Sequence, residues 1–158
     1  MNVLFVCLGN ICRSPSADGM LRKKLAEHGL DEKVTVDSAG TGDWHIGKAP
    51  DQRSQAAAAA RGYAISNLRA RQVVAEDFDK FDYVLAMDKS NIENMKEFMP
   101  SGKVRTQPEL ILERFGNDKS ITEVPDPYYG GEEGFQTVLD LLETACDNLV
   151  LELKQKLA

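Results

Sequence analysis

Apolar residues fall along this chain in runs of two kinds, and each kind predicts a different element. The opening run, Asn2 to Cys7 (NVLFVC), is short and almost continuously apolar, the pattern of a strand buried on both faces. KVTVDSAG (Lys33 to Gly40) and FDYVLAM (Phe81 to Met87) read as two further strands. The second kind spaces its apolar positions by three and four. Met20, Leu21 and Leu25 make one such face, with Ser14 predicted as the N-cap, Pro15 at the first helical position and Gly29 as the stop. DQRSQAAAAARGY predicts a helix with Asp51 near its start and Gly62 at its end; its alanines suit close packing on a sheet. Asp88 opens another helix, a short strand is expected near Val104, and PELILERFG reads as helical. Phe135, Val138, Leu142, Cys146, Leu149 and Leu153 lie on one stripe of a long final helix. Alternating strands and helices predict an α/β fold with a parallel sheet flanked by helices on both faces. No repeat, linker or composition break divides residues 1–158, so one domain is expected.

Composition narrows the field of functions. With 158 residues and 42% hydrophobic content, the chain can build a core without disulfides. A net charge of −6 disfavours nucleic acid and anionic membrane surfaces as partners. No apolar run reaches the roughly 18 residues of a membrane helix. MNVLFVC lacks a basic leader, so no signal peptide is read and the cytoplasm is the expected location. In that reducing compartment the three cysteines are thiols rather than a disulfide framework.

Two of those thiols fall in VCLGNICRSPSA, where a strand runs through a tight turn into a helix. Such a turn is an anion site, because its N–H groups can converge and the helix end adds partial positive charge. The turn lacks GxxxxGK[ST] and is therefore not a nucleotide P-loop. It has Cys7, five residues, then Arg13. Cys7 ends the strand, so its sulfur can sit at the floor of a cup formed by Leu8, Gly9, Asn10, Ile11, Cys12, Arg13 and Ser14. Arg13 can return over the cup and hold two phosphate oxygens in its planar fork. These groups favour a negative sulfur, so Cys7 is expected to be a thiolate set for in-line attack on phosphorus. Gly9 permits an unusual backbone angle or a close approach, Asn10 can hold the loop in a left-handed turn, and the Ser14 hydroxyl can donate to sulfur. This chemistry calls for no metal and no cofactor. Cys12 has two readings that stand side by side: a small buried filler, or a partner that forms a reversible disulfide with Cys7.

The stretches VCLGNICRSPSA, DSAGT (Asp37 to Thr41), ARQ (Ala70 to Gln72), FDYVLAMDKSN (Phe81 to Asn91) and DPYY (Asp126 to Tyr129) resemble, in order, those of the low-molecular-weight protein tyrosine phosphatases. The resemblance implies a four-stranded parallel sheet, Cys7 as nucleophile, Arg13 as phosphate clamp and Asp126 as general acid. It also implies that Asp88 lies near the phosphate loop and pairs with Arg13. Chemistry agrees on Asp126: a phenolate leaving group needs a proton that a thiolate cannot supply, and the same carboxylate can then activate water. Trp44, Tyr128 and Tyr129, with Ile11, are expected to wall a slot deep enough for phosphotyrosine and too deep for phosphoserine. The implied partner is a phosphotyrosine-containing protein, with a tyrosine kinase among the candidates. One departure stands out. Many relatives carry a His before ARQ that supports the loop Asn, whereas this chain has Leu68 there, and neither His28 nor His45 aligns with it.

Three other functions compete. A phosphoarginine phosphatase would favour Thr at the position of Ile11. An arsenate reductase on this fold needs two further mid-chain cysteines, and this chain has only Cys146, on the apolar stripe of the last helix. A silent phosphotyrosine-binding module would have lost Cys7 or Asp126, and both are present.

Overall fold

The opening apolar run forms β1 (Asn2–Cys7), the central strand of a sheet that the computed structural model describes over residues 1–128 and 130–158. Its side chains are buried on both sides. Val3, Phe5 and Cys7 join one core cluster, and Leu4 and Val6 join another on the opposite face. That explains the lack of alternation, since neither face meets water. Burying side chains the size of Leu4 and Phe5 is worth about 1.5–3 kcal/mol each.

The remaining elements follow in the order α1 (Arg13–Glu27), β2 (Thr35–Gly40), α2 (Gln52–Ala60), α3 (Asp77–Lys80), β3 (Tyr83–Ala86), α4 (Lys89–Met95), β4 (Glu109–Leu110), α5 (Ile111–Phe115) and α6 (Glu132–Lys156). The sheet runs β2-β1-β3-β4 with every pairing parallel. Helices α1, α2, α5 and α6 contribute to the cluster that holds Val3 and Phe5. On the other face, Phe78 of α3 and Met95 of α4 pack with Leu4 and Val6. The strand order turns between β1 and β3, and the crevice beyond the carboxyl ends of strands at such a turn is where open α/β sheets bind ligands. Cys7 sits at that end.

Three expectations need correction. Helix α1 begins at Arg13 with Cys12 as N-cap, so Ser14 is its second residue and Pro15 its third. The Ser14 hydroxyl is occupied by the Cys7 sulfur and the Asn10 amide, which leaves nothing for capping. Pro15 remains in the first turn, where a missing N–H costs no helical bond. No strand forms at Val104, which is buried in irregular chain. The fourth strand is instead the pair Glu109–Leu110, at the front of the segment expected to be wholly helical; α5 starts only at Ile111.

Candidate active site

The turn from β1 into α1 is built around the Cys7 sulfur. Cys7 is 2% exposed, and its Sγ accepts from the backbone N–H of Asn10 at 3.3 Å. The Ser14 Oγ lies 3.0 Å from the same sulfur. Asn10 Nδ2 donates to Ser14 Oγ at 2.7 Å, and the Ser14 proton can go to the sulfur or to the Ala39 carbonyl 3.5 Å away. Asn10 takes the left-handed conformation expected of it, with φ 57°. Gly9 serves close approach instead: a Cβ there would come within 3.0 Å of His45 Cδ2. A Cβ on Gly40 would lie 2.7 Å from the Leu8 carbonyl oxygen, so the end of β2 also needs glycine to let the cup sit against it.

Asn10 is held without the family's histidine. Its Nδ2 also donates to Ser38 Oγ at 2.9 Å, and its Oδ1 accepts from the Arg71 N–H at 3.0 Å. Because the Arg71 amide can only donate, it fixes which way the Asn10 amide points. Arg71 is itself clamped: Nε on Asp37 at 3.0 Å, and Nη1 and Nη2 on the Asp77 carboxylate at 3.0 and 3.1 Å. Leu68, at the position expected to carry His, packs against the core.

Arg13 is 2% exposed and aims back over the cup. Its Nη1 donates to Asp88 Oδ2 at 2.6 Å and to the Val124 carbonyl at 2.9 Å, and Nη2 lies 3.6 Å from Asp126 Oδ2. Burial by itself would lower the Arg13 pKa; the negative charges of Cys7, Asp88 and Asp126 outweigh it and hold the guanidinium above its ordinary value. Asp88 does two jobs with its two oxygens. Oδ2 holds Arg13, while Oδ1 accepts from the Asn91 N–H at 2.8 Å and closes a capping box on α4. The pairing of Asp88 with Arg13 implied by the resemblance is thus present in the structure. The first turn of α1 has no side-chain cap, and an uncapped helix N-terminus suits an anion.

A cavity of about 380 Å³ opens above the sulfur, lined by Cys7, Leu8, Gly9, Ile11, Cys12, Arg13, Trp44, His45, Asp126 and Tyr128. Most of the residues singled out from sequence converge here. Asn10 and Ser14 lie beneath the loop, buried against the sulfur rather than lining the cavity. Trp44 is 64% exposed and Tyr128 36%, so both are rim residues and not packing for the core. Tyr129 lies outside the described residues. His45 was not expected at the site; its ring centroid is 6.3 Å from that of Tyr128. The clue in the sequence was its place next to Trp44.

Cys7 and Cys12 are both free thiols, and Cys12 is buried. Burial pushes the Cys12 thiol up to about 12; a hydrogen bond with Ser54 opposes this, while Asp51, Cys7 and Asp126 add to it. Cys146 is wholly buried on α6, and that burial raises its thiol to about 12 as well. Chemically, the arrangement places a sulfur bonded by the Asn10 N–H and the Ser14 Oγ, a buried guanidinium, a helix N-terminus and a carboxylate around one cavity. Such a set can bind a tetrahedral oxyanion and exchange one of its substituents.

Sheet order, cup and acidic loop together define a cysteine-dependent phosphatase of the small α/β kind. The family model described as low molecular weight phosphotyrosine protein phosphatase matches residues 2–158, and the chain belongs to that family. A Synechocystis sp. relative is 46% identical over 160 residues, covering 99% of each chain. Among solved structures, a protein tyrosine phosphatase from Entamoeba histolytica superposes with a TM-score of 0.90 at 42% identity, over 100% of this chain and 99% of that one. A Drosophila arginine phosphatase matches with the same TM-score, 0.90, at 31% identity over 98% of each chain. Among the described residues no helix is long and apolar enough to cross a membrane.

Proposed function

We propose that residues 1–158 act as one catalytic unit that hydrolyses phosphotyrosine in protein substrates through a phosphocysteine, with no metal. In the first step the Cys7 thiolate attacks phosphorus. The S–P bond forms as the P–O bond to the phenol breaks, and Asp126 gives its proton to the leaving oxygen. Arg13 and the cup amides carry the charge on the equatorial oxygens. In the second step Asp126 takes a proton from water as the water oxygen attacks phosphorus. The S–P bond breaks, and the Ser14 hydroxyl donates to the departing thiolate. Inorganic phosphate is released and both side chains return to their starting state.

The observation that carries this reading is the convergence on one cavity of Cys7, the Asp88-held Arg13 and Asp126. Ile11, Trp44 and Tyr128 favour an aryl ring in the slot, and Tyr129 joins them on the motif alone. The likeness to an arginine phosphatase keeps phosphoarginine as the second reading. A panel of phosphotyrosine, phosphoarginine and phosphoserine peptides decides: kcat/KM highest for phosphotyrosine supports the proposal, and highest for phosphoarginine replaces it. Physiological partners are then phosphotyrosine proteins of the cytoplasm, tyrosine kinases among them. We further propose that peroxide oxidises Cys7 and that Cys12 then closes a reversible disulfide with it, against the alternative that Cys12 only fills the loop. A Cys12→Ser variant that recovers from peroxide as fully as the unaltered protein would dismiss that role.

A further inference from the structure

Asp126 sits in chain that belongs to no strand or helix, and its carboxylate is 37% exposed, so its aim depends on how that chain is anchored. On its N-terminal side the anchor is Val124, whose N–H donates to the Met87 carbonyl at 2.8 Å and whose carbonyl accepts from Arg13 at 2.9 Å. On its C-terminal side the Tyr128 N–H donates to Asp126 Oδ1 at 3.0 Å, closing a tight turn over the acid. The carbonyl of Tyr128 accepts from Arg53 Nη2 at 2.9 Å.

Arg53 comes from the first turn of α2 and is itself restrained. Its Nε and Nη2 each lie 3.1 Å from an Asp51 carboxylate oxygen. Its guanidinium lies 4.8 Å from the Phe135 ring centroid and 5.6 Å from that of Tyr128. It is not one of the residues lining the cavity. We propose that Arg53 is a positioning residue for catalysis: it ties the turn that aims Asp126 to helices α2 and α6, and so acts on proton delivery without touching substrate. This rests on Asp126 being the acid.

The test is an aryl phosphate series, from a dinitrophenol leaving group to phenol, measured on Arg53→Ala, Asp126→Ala and the double variant. Substitution at Arg53 leaves the α2 cap in place, because Asp51 Oδ1 accepts from the Arg53 backbone N–H at 2.8 Å. Arg53→Ala should lower kcat/KM for phenyl phosphate, which reports only the step that releases the phenol, about tenfold, part of the 10²–10⁴-fold worth of a positioned acid. For the dinitrophenyl ester, and for competitive inhibition by inorganic phosphate, the change should stay under about twofold. In the Asp126→Ala background the Arg53 change should add no further loss. Equal losses of kcat/KM across the series, a tenfold weaker inhibition by inorganic phosphate, or full additivity in the double variant would each overturn the proposal. If Asp126→Ala itself shows no leaving-group dependence, the acid assignment falls instead. Should Arg53→Ala not fold, Arg53→Lys carries the same test, since one ammonium cannot reproduce the fork that spans Asp51 and the Tyr128 carbonyl.

Discussion

The chain holds the proposed nucleophile and the proposed acid in opposite ways. Cys7 lies at the end of a central strand, under a turn whose every polar side chain is buried and bonded: Asn10 to Ser14, Ser38 and Arg71, and Arg13 to Asp88 and Val124. Asp126 lies on an exposed loop with Val124 and Tyr128 as its fixed points. The difference follows from the chemistry proposed for each half. A nucleophile and its anion clamp need one geometry for every substrate, so they sit where the core over-determines them. A proton donor must meet leaving groups of differing size, and an edge loop lets its surroundings vary without disturbing the clamp.

Substitutions can break that comparison at either end. Cys7→Ser should drop steady-state turnover to the assay floor while calorimetry still detects binding of inorganic phosphate; turnover above that floor would contradict the nucleophile. Asp88→Ala strips a buried guanidinium of its carboxylate and uncaps α4. Breaking a buried pair costs about 3–5 kcal/mol, to be read from denaturant unfolding alongside a steep fall in kcat. Asp126→Asn should lower kcat for phenyl phosphate by about 10²–10⁴ while leaving the fold intact. Thermal unfolding should separate the last two: a large shift for Asp88, almost none for Asp126.

Two smaller tests sharpen the contrast by pH. Cys12 and Cys146, each at about 12, stay protonated through neutral pH, so limited iodoacetamide should label Cys7 alone, read by peptide mass. Label first on Cys12 would contradict the electrostatic difference between the two loop thiols. Asp51, on the rim side, gives the smallest effect. Burial alone would raise its pKa, but the Arg53 side chain and N–H and the Ser54 N–H together hold it below the ordinary carboxylate range. A depressed carboxylate contributes stability above its unfolded pKa and loses it as pH falls through the folded one. Asp51→Ala should therefore cost about 1 kcal/mol at neutral pH. The gap to the unaltered protein should shrink on acidification below the ordinary carboxylate range.

What could be read before folding was what lies close in sequence. The cup needs only Cys7 to Ser14, and the helix stops and the Asp51 and Asp88 caps are local as well, so they were legible. Ser14 misled because the residue type that favours a cap is also the type that serves a sulfur; tertiary contact decided between them. Glu109–Leu110 was missed because two residues at a sheet edge carry no periodicity, and the apolar run beyond them reads as helix. The support of Asn10 was invisible for another reason. Arg71 reaches it through a backbone amide, a group every position offers, across 61 residues of chain. His45 enters the cavity wall in the same fashion, by the approach of its loop to Gly9.

Asp88 makes catalysis a witness to its own scaffold. One oxygen starts a helix and the other steadies the guanidinium proposed to meet the substrate, so the two are coupled through one carboxylate. A population in which that helix frays is expected to lose activity toward phosphate esters before the rest of the molecule comes apart. Residual hydrolysis along a denaturant ramp would then report the integrity of one short helix, earlier than any signal averaged over the whole chain.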